Sequence, residues 1–212
     1  MSGKSDFQFC AEANAPDTTS TDDGIASQDI SLLYLESLAE RPIVPQGECP
    51  YLLHRSMVCL DNQGHCKGVI FKVTFNNFSK NYKLLWQEEL TDRIRNSITD
   101  LPDAVEKSAL AFTFLIITDC TGMTVIRQAK RKSGFDYFLI KENNDERLIF
   151  KQESTARLEV SGILDGDNSK INSRFKEKFD RAAKYKQFNT MPIYVCVVEH
   201  SAPKAEVRVR HA

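Results

Sequence analysis

Apolar residues recur along the chain at helical spacing in some stretches and at strand spacing in others, and each spacing predicts an element. From Asp29, a residue with N-cap chemistry, ISLLYLESLAER repeats apolar side chains at Ile30, Leu33, Tyr34 and Leu38, a helical pattern that Pro42 stops. Residues 51–60 (YLLHRSMVCL), 66–76 (CKGVIFKVTFN) and 80–86 (KNYKLLW) are rich in β-branched and aromatic residues and are divided by DNQGH and NNFS, which predicts an antiparallel meander of three strands. Helical spacing returns in QEELTDRIRNSI at Leu90, Ile94 and Ile98. In PDAVEKSALAFTFLIIT the positions Val105, Ala109, Phe112, Leu115 and Ile116 share one helical face, predicting a helix of about 16 residues, although FTFLIIT in isolation fits a strand equally well.

Further on, MTVIRQAKR, KSG and FDYFLIK read as a hairpin, and the polar loop ENNDER follows. TARLEVSGIL alternates Ala156, Leu158 and Val160 with Arg157, Glu159 and Ser161, a strand with one apolar and one chemical face. After the DGDNS loop, Ile171, Phe175, Phe179 and Ala182 recur at helical intervals among basic residues, PIYVCVVEH reads as a buried strand, and AEVRVRHA adds an edge strand. The fold class predicted is α+β or α/β. Residues 101–212 form a core in the order helix, three strands, helix, strand. Residues 28–100 add an N-terminal helix and a small antiparallel sheet. Residues 1–27 are acidic and rich in Ser, Thr and Asp, and lack the apolar surface to offset the cost of ordering, so they read as a flexible tail.

Composition narrows the function classes. The 212 residues are 42% apolar and 27% charged, ordinary for a globular protein, which excludes collagen-like and wholly disordered readings. The net charge of −1 conceals a division: residues 1–122 carry 10 Lys and Arg against 17 Asp and Glu, whereas residues 123–212 carry 18 against 12. An anionic partner is therefore expected on the C-terminal part. No apolar run approaches the roughly 20 residues a membrane span needs, and the N-terminus lacks a signal-peptide layout, so the expectation is a cytoplasmic protein away from membranes. Six scattered cysteines are expected to be reduced and mostly buried.

Three acidic residues hold defined places in the C-terminal order: Glu106 on the first helix, Asp136 at the start of the second strand and Glu159 in the third. Carboxylates converging from separate elements supply the hard oxygen ligands of Mg²⁺ or Mn²⁺. GFDYFLI, followed about twenty residues later by ARLEVSG, with Glu106 in the preceding helix, resembles the PD-(D/E)XK superfamily, the restriction-endonuclease-like fold of αβββαβ order. The resemblance is carried more by element order than by letters. It implies a metal-dependent nuclease acting on DNA, a component of bacterial defence or repair, with Asp136 as central acid, Glu159 as second acid and Glu106 as accessory acid. It implies too that the carbonyl of Val160 offers a further oxygen to the metal. A homodimer or a partner subunit is compatible with it.

One departure bears on chemistry. The superfamily pattern has Lys two residues after the second acid, and here Ser161 stands there. A serine hydrogen-bonds the attacking water but brings no charge. Lys141 on the second strand, or Lys170, Arg174 or Lys178 on the following helix, are the candidates to supply that cation, and Phe135 replaces the motif's proline. The alternative is a catalytically silent subunit that keeps the fold and binds DNA or a partner protein. Contacts to DNA phosphates are expected from Arg127, Lys130, Arg131 and Lys132 around the hairpin turn and from Lys170, Arg174 and Lys178 on the helix, within a basic run that continues to Arg181 and Lys186. Cys49, His54, Cys59, His65 and Cys66 lack the paired spacing of a zinc site, and no GxGxxG, P-loop, HExxH or GxSxG is present.

Overall fold

A computed structural model describes residues 30–76, 78–141, 153–185, 188 and 190–211. The tail over residues 1–27, the ENNDER loop and Lys186 lie outside the described residues. Eight strands form one sheet in the order β1-β3-β2-β8-β7-β6-β5-β4. In chain order these are β1 (Ser31–Tyr34), β2 (Ile70–Phe75), β3 (Phe78–Leu85), β4 (Met123–Gln128), β5 (Tyr137–Lys141), β6 (Ala156–Ile163), β7 (Ile193–Glu199) and β8 (Lys204–Arg210). The α-helices among the described residues are α1 (Cys49–Asn62), α2 (Asp92–Ser97), α3 (Leu101–Thr121) and α4 (Asn168–Ala183). The fold is mixed α/β. No described helix is long and apolar enough to cross a membrane.

From α3 onward the expected order is present. Strands β4, β5 and β6 pair antiparallel, then α4 carries the chain back so that β7 pairs parallel with β6. Helix α3 is longer than the sequence predicts, 21 residues, because it takes in Leu101 before PDAVEKSALAFTFLIIT and runs on through Thr121 after it. The Asp100 carboxylate accepts from the Asp103 N–H at its start, and Gly122 ends it in the left-handed conformation at φ 64°. Both faces of the sheet are covered over β6 and β7. Leu158, Val160, Tyr194, Cys196 and Val198 join the core that contains Phe112, Leu115 and Ile116 of α3, whereas Val195 and Val197 join Ile171, Phe175, Phe179 and Ala182 of α4. Period-2 alternation in two adjacent strands thus divides the core into two layers.

Three expectations about the elements are corrected, two of them in the N-terminal part. Residues 51–60 are helical. Pro50 sits in the first turn of α1, where its missing N–H costs nothing, and Leu52, Leu53, Ser56, Met57 and Leu60 give it a buried face packed on α3. The helix expected from Asp29 is instead β1 followed by a short 3-10 helix, Leu35–Glu40: β1 pairs parallel with β3, and Leu33, Leu35 and Leu38 are buried while Ile30, Leu32 and Tyr34 are exposed. The N-terminal helix and separate small sheet are therefore replaced by strands that extend the one large sheet. Finally, β8 is interior rather than an edge, with β7 antiparallel on one side and β2 parallel on the other. Among the cysteines, Cys49, Cys59 and Cys196 are buried free thiols, and burial pushes the Cys59 and Cys196 thiols up to about 12. Cys66 is disulfide-bonded, which corrects the reading of all six as reduced.

Two features set the stability of this arrangement. Gly162 lets β6 approach α3, since a Cβ there would overlap the Val105 carbonyl oxygen and lie 2.7 Å from Val105 Cγ1. Gly162→Ala is expected to lower stability by about 1–3 kcal/mol, read in a urea melt. The second feature is His200, which is 1% exposed. Its Nδ1 is 2.8 Å from the Ile163 carbonyl oxygen, which can only accept, so Nδ1 carries the proton and Nε2 accepts from the Ser108 hydroxyl at 2.8 Å. Burial pushes its pKa below the ordinary 6.5, outweighing the opposing pull of the Ile163 carbonyl and Glu199. The unfolded chain then takes up this proton first as pH falls. The imidazole's contribution is complete well above about 6.5 and declines as pH drops below it, so unfolding free energy should fall as the solution is made more acid than about pH 6.5, less steeply in His200→Gln.

Candidate nucleic-acid interface

The ladder between β5 and β6 stops at Tyr137 and Leu158, and Asp136 is what stops it. Its backbone N–H donates to the Leu158 carbonyl at 2.9 Å, its own carbonyl accepts from the Ala129 N–H at 2.8 Å, and its carboxylate Oδ2 accepts from the Val160 N–H at 2.9 Å. A side chain has taken the donor that the next residue of β5 would have used, so the two strands part. The opening is a cavity of about 610 Å³, with Glu106 and Asp136 on its wall beside Val160, Ser161 and Gly162, and with Arg131, Arg174, Lys178 and Arg181 facing them. The close approach of β6 to α3 at Gly162 brings Glu106, the neighbour of Val105, to this wall.

Glu159 lies under the cavity. It is fully buried on the α4 side of β6, where its Oε1 accepts from Lys178 Nζ at 2.8 Å and pairs with Arg181, while its Oε2 is buried without a partner. The Lys178 side chain is only 12% exposed, and burial pulls its pKa below the ordinary lysine value against the opposing fields of Asp136, Glu177 and Glu106. Arg174, Lys178 and Arg181 follow one another at intervals of four and three, so a single face of α4 delivers all three cations.

Glu106, Asp136, Val160, Ser161, Arg131, Arg174 and Lys178 thus line one cavity. Lys130 and Lys132 line an adjoining hollow with Arg131, Asp136, Arg181 and Tyr185. Three residues named from the sequence lie away from this cavity. Lys141 is five residues along β5 from Asp136, roughly 17 Å at strand rise, where it pairs with Met123 and is exposed; it cannot supply the missing cation. Lys170 lies two turns of α4 before Lys178, and its amine donates to the Asp165 carbonyl at 2.6 Å. Arg127 leans over the Phe138 ring, 4.3 Å from its centroid, and donates to Ser154. The sequence reading did not give Arg181 its role as the second cation on Glu159, although its spacing after Arg174 and Lys178 carried that signal.

Among the described residues, no group of three or more His, Cys, Asp or Glu side chains is placed to hold a metal ion. The donor chemistry agrees: a hard divalent cation needs several free oxygens. Here Asp136 Oδ2 is committed to Val160, and the Glu159 carboxylate is bound by two cations. As arranged, Glu106, Asp136, Glu159 and the Val160 carbonyl do not fit Mg²⁺ or Mn²⁺. What the cavity offers instead is Arg131, Arg174, Lys178 and Arg181 beside two wall carboxylates, with Lys178 and Arg181 also paired to Glu159 and Arg174 to Glu177 at 3.0 Å, a cationic wall of the kind a polyanion meets. Of the Cys and His residues near the N-terminus, His54 bonds Glu88 at 2.8 Å and His65 bonds the Ser201 carbonyl at 2.9 Å. No protein-family model matches this chain, and no curated protein or solved structure matches it.

The buried cluster yields a measurable coupling. Glu159→Gln strands the buried Lys178 amine and should cost about 3 kcal/mol in urea unfolding. Adding Lys178→Met to that variant should restore part of the loss, with a coupling energy of about 1–3 kcal/mol.

Proposed function

We propose that this chain binds the phosphodiester backbone of DNA in the cavity between β5 and β6, as a nuclease-like component of DNA-directed defence or repair in the cytoplasm. The observation that carries the reading is the convergence of Arg131, Arg174, Lys178 and Arg181 on the place where Asp136 ends the β5–β6 ladder. The αβββαβ element order and the positions of Asp136 and Glu159 support a restriction-endonuclease-like scaffold. Cations drawn from a hairpin turn and from a helix make a two-sided grip on a strand of phosphates, and release of counterions drives such binding. The occupied state of Glu159 favours binding without cleavage.

A second reading, hydrolysis of the bound phosphodiester, is favoured by one observation. Lys178 brings an amine to 2.8 Å from Glu159, supplying from α4 the cation that Ser161 does not provide. A basic group of lowered pKa beside a phosphate is suited to handling the proton of an attacking water.

Binding of labelled duplex and single-stranded DNA, measured against salt, tests both. Affinity should fall linearly on a log–log plot, and the Arg131→Ala/Arg174→Ala double variant should reduce the slope by about 2. Plasmid incubated with Mg²⁺ or Mn²⁺ should stay intact on the binding reading. Nicking by wild type that disappears in both Asp136→Ala and Glu159→Ala would move the conclusion to hydrolysis. Absence of salt-sensitive DNA binding would overturn both.

A further inference from the structure

A second cationic site, sharing no residue with the first, lies where β6 begins. Arg157, Ile193 and Arg210 are register partners across β6, β7 and β8, so they stand in one row on the face that α4 covers. Two strand spacings place the Arg157 and Arg210 backbones roughly 10 Å apart, within the combined reach of two guanidinium groups toward one ion held between them. These residues line a cleft of about 230 Å³ with Phe179, Ala182 and His211.

Arg157 is the unusual member. It is 4% exposed, and its Nε and Nη2 both donate to the Met191 carbonyl, at 3.2 and 2.8 Å. Its Nη1 is buried and donates to nothing. No carboxylate pairs with Arg157 or Arg210 among the described residues. The Arg210 guanidinium is held 4.4 Å over the Phe179 ring, which fixes its position without consuming its charge. A buried guanidinium with an idle N–H and no counter-charge is costly in an apolar surround, and an anion that accepts from it removes that cost. Arginine's planar fork matches oxyanions, and two arginines beside an imidazole, with no acid among the described residues of the wall, balance a dianion better than a single carboxylate.

We infer that the cleft between Arg157 and Arg210 binds a phosphate-class oxyanion, either a free phosphomonoester or the 5′-phosphate end of a nucleic acid strand, with its apolar wall against the group that carries the phosphate. The probe is inorganic phosphate, titrated calorimetrically into the full chain at constant ionic strength set with chloride. One saturable site is expected, retained in the Arg131→Ala/Arg174→Ala variant. Arg210→Gln, a change at an exposed position, should weaken affinity about tenfold, a loss of about 1.4 kcal/mol, and Arg157→Met should abolish binding. If Arg157→Met does not fold, Arg210→Gln decides. Competition then identifies the source: displacement by glycerol phosphate points to a small phosphomonoester, and displacement only by a 5′-phosphorylated dinucleotide points to a strand end, and either result supports the site. The inference is overturned by an absence of saturable phosphate binding in wild type. It is equally overturned by unchanged affinity in Arg210→Gln, or by loss of binding in the Arg131→Ala/Arg174→Ala variant with Arg210→Gln unaffected.

Discussion

A carboxylate with no solvent exposure stands in the middle of β6, and the placement of α4 follows from it. Glu159 has β7 on one side, the end of the β5 ladder on the other and α4 above, with no exposure to solvent, so its charge must be answered from within the protein. Lys178 and Arg181 answer it, both from α4. That pairing sets the rotation of α4 over the sheet: the side that presents the cations to Glu159 leaves Ile171, Phe175, Phe179 and Ala182 to pack over Ile163, Ile193, Val195 and Val197. Hydrophobic burial supplies most of the driving force, but it is non-directional. The ion pair adds a preferred register to a helix whose apolar ridge alone would tolerate sliding.

The cavity arises one residue away by a related substitution of side chain for backbone. Asp136 takes the Val160 N–H, β5 leaves β6, and space opens beside the cations that Glu159 has gathered. Gly162 completes the shape by letting α3 come close enough to set Glu106 on the wall. Architecture and candidate chemistry therefore share residues. Asp136 is a strand terminator as well as a wall carboxylate, and Lys178 is a core counter-charge as well as a cavity cation.

β8 shows how a basic strand becomes interior. Its buried residues Ala205 and Val207 enter the core on the α3 side, while Arg208 and Arg210 lie over the rings of Phe175 and Phe179, at 4.0 and 4.4 Å from their centroids. The guanidinium groups themselves rest on the aromatic faces at the flank of α4, which holds them in place without consuming their charge. The same strand thereby joins the N-terminal strands to the rest of the sheet and contributes a cation to the cleft at the start of β6.

The amino-acid sequence by itself determined the elements from residue 101 onward. Long periodic stretches, Asp100 and Gly122 as caps, and the strict alternation of residues 156–161 are local signals that tertiary context had no reason to override. It also placed Glu106 on α3, Asp136 at the start of β5, Ser161 in β6 and the basic residues on one face of α4, because element order and a period of two or 3.6 suffice for that. The helix over residues 51–60 was legible in Pro50 and in the spacing of Leu52, Ser56 and Leu60, and its bulky apolar residues obscured it. Tertiary structure alone decided the rest. β1 exists because β3 offers it a partner, β8 is interior because two strands of opposite chain direction flank it, and Lys178 rather than Lys141 reaches Glu159 because a helix crosses over the strand. Whether three acids form a cation cage or one of them is neutralised by amines is likewise a matter of angstroms between elements far apart in the chain, which no local pattern encodes.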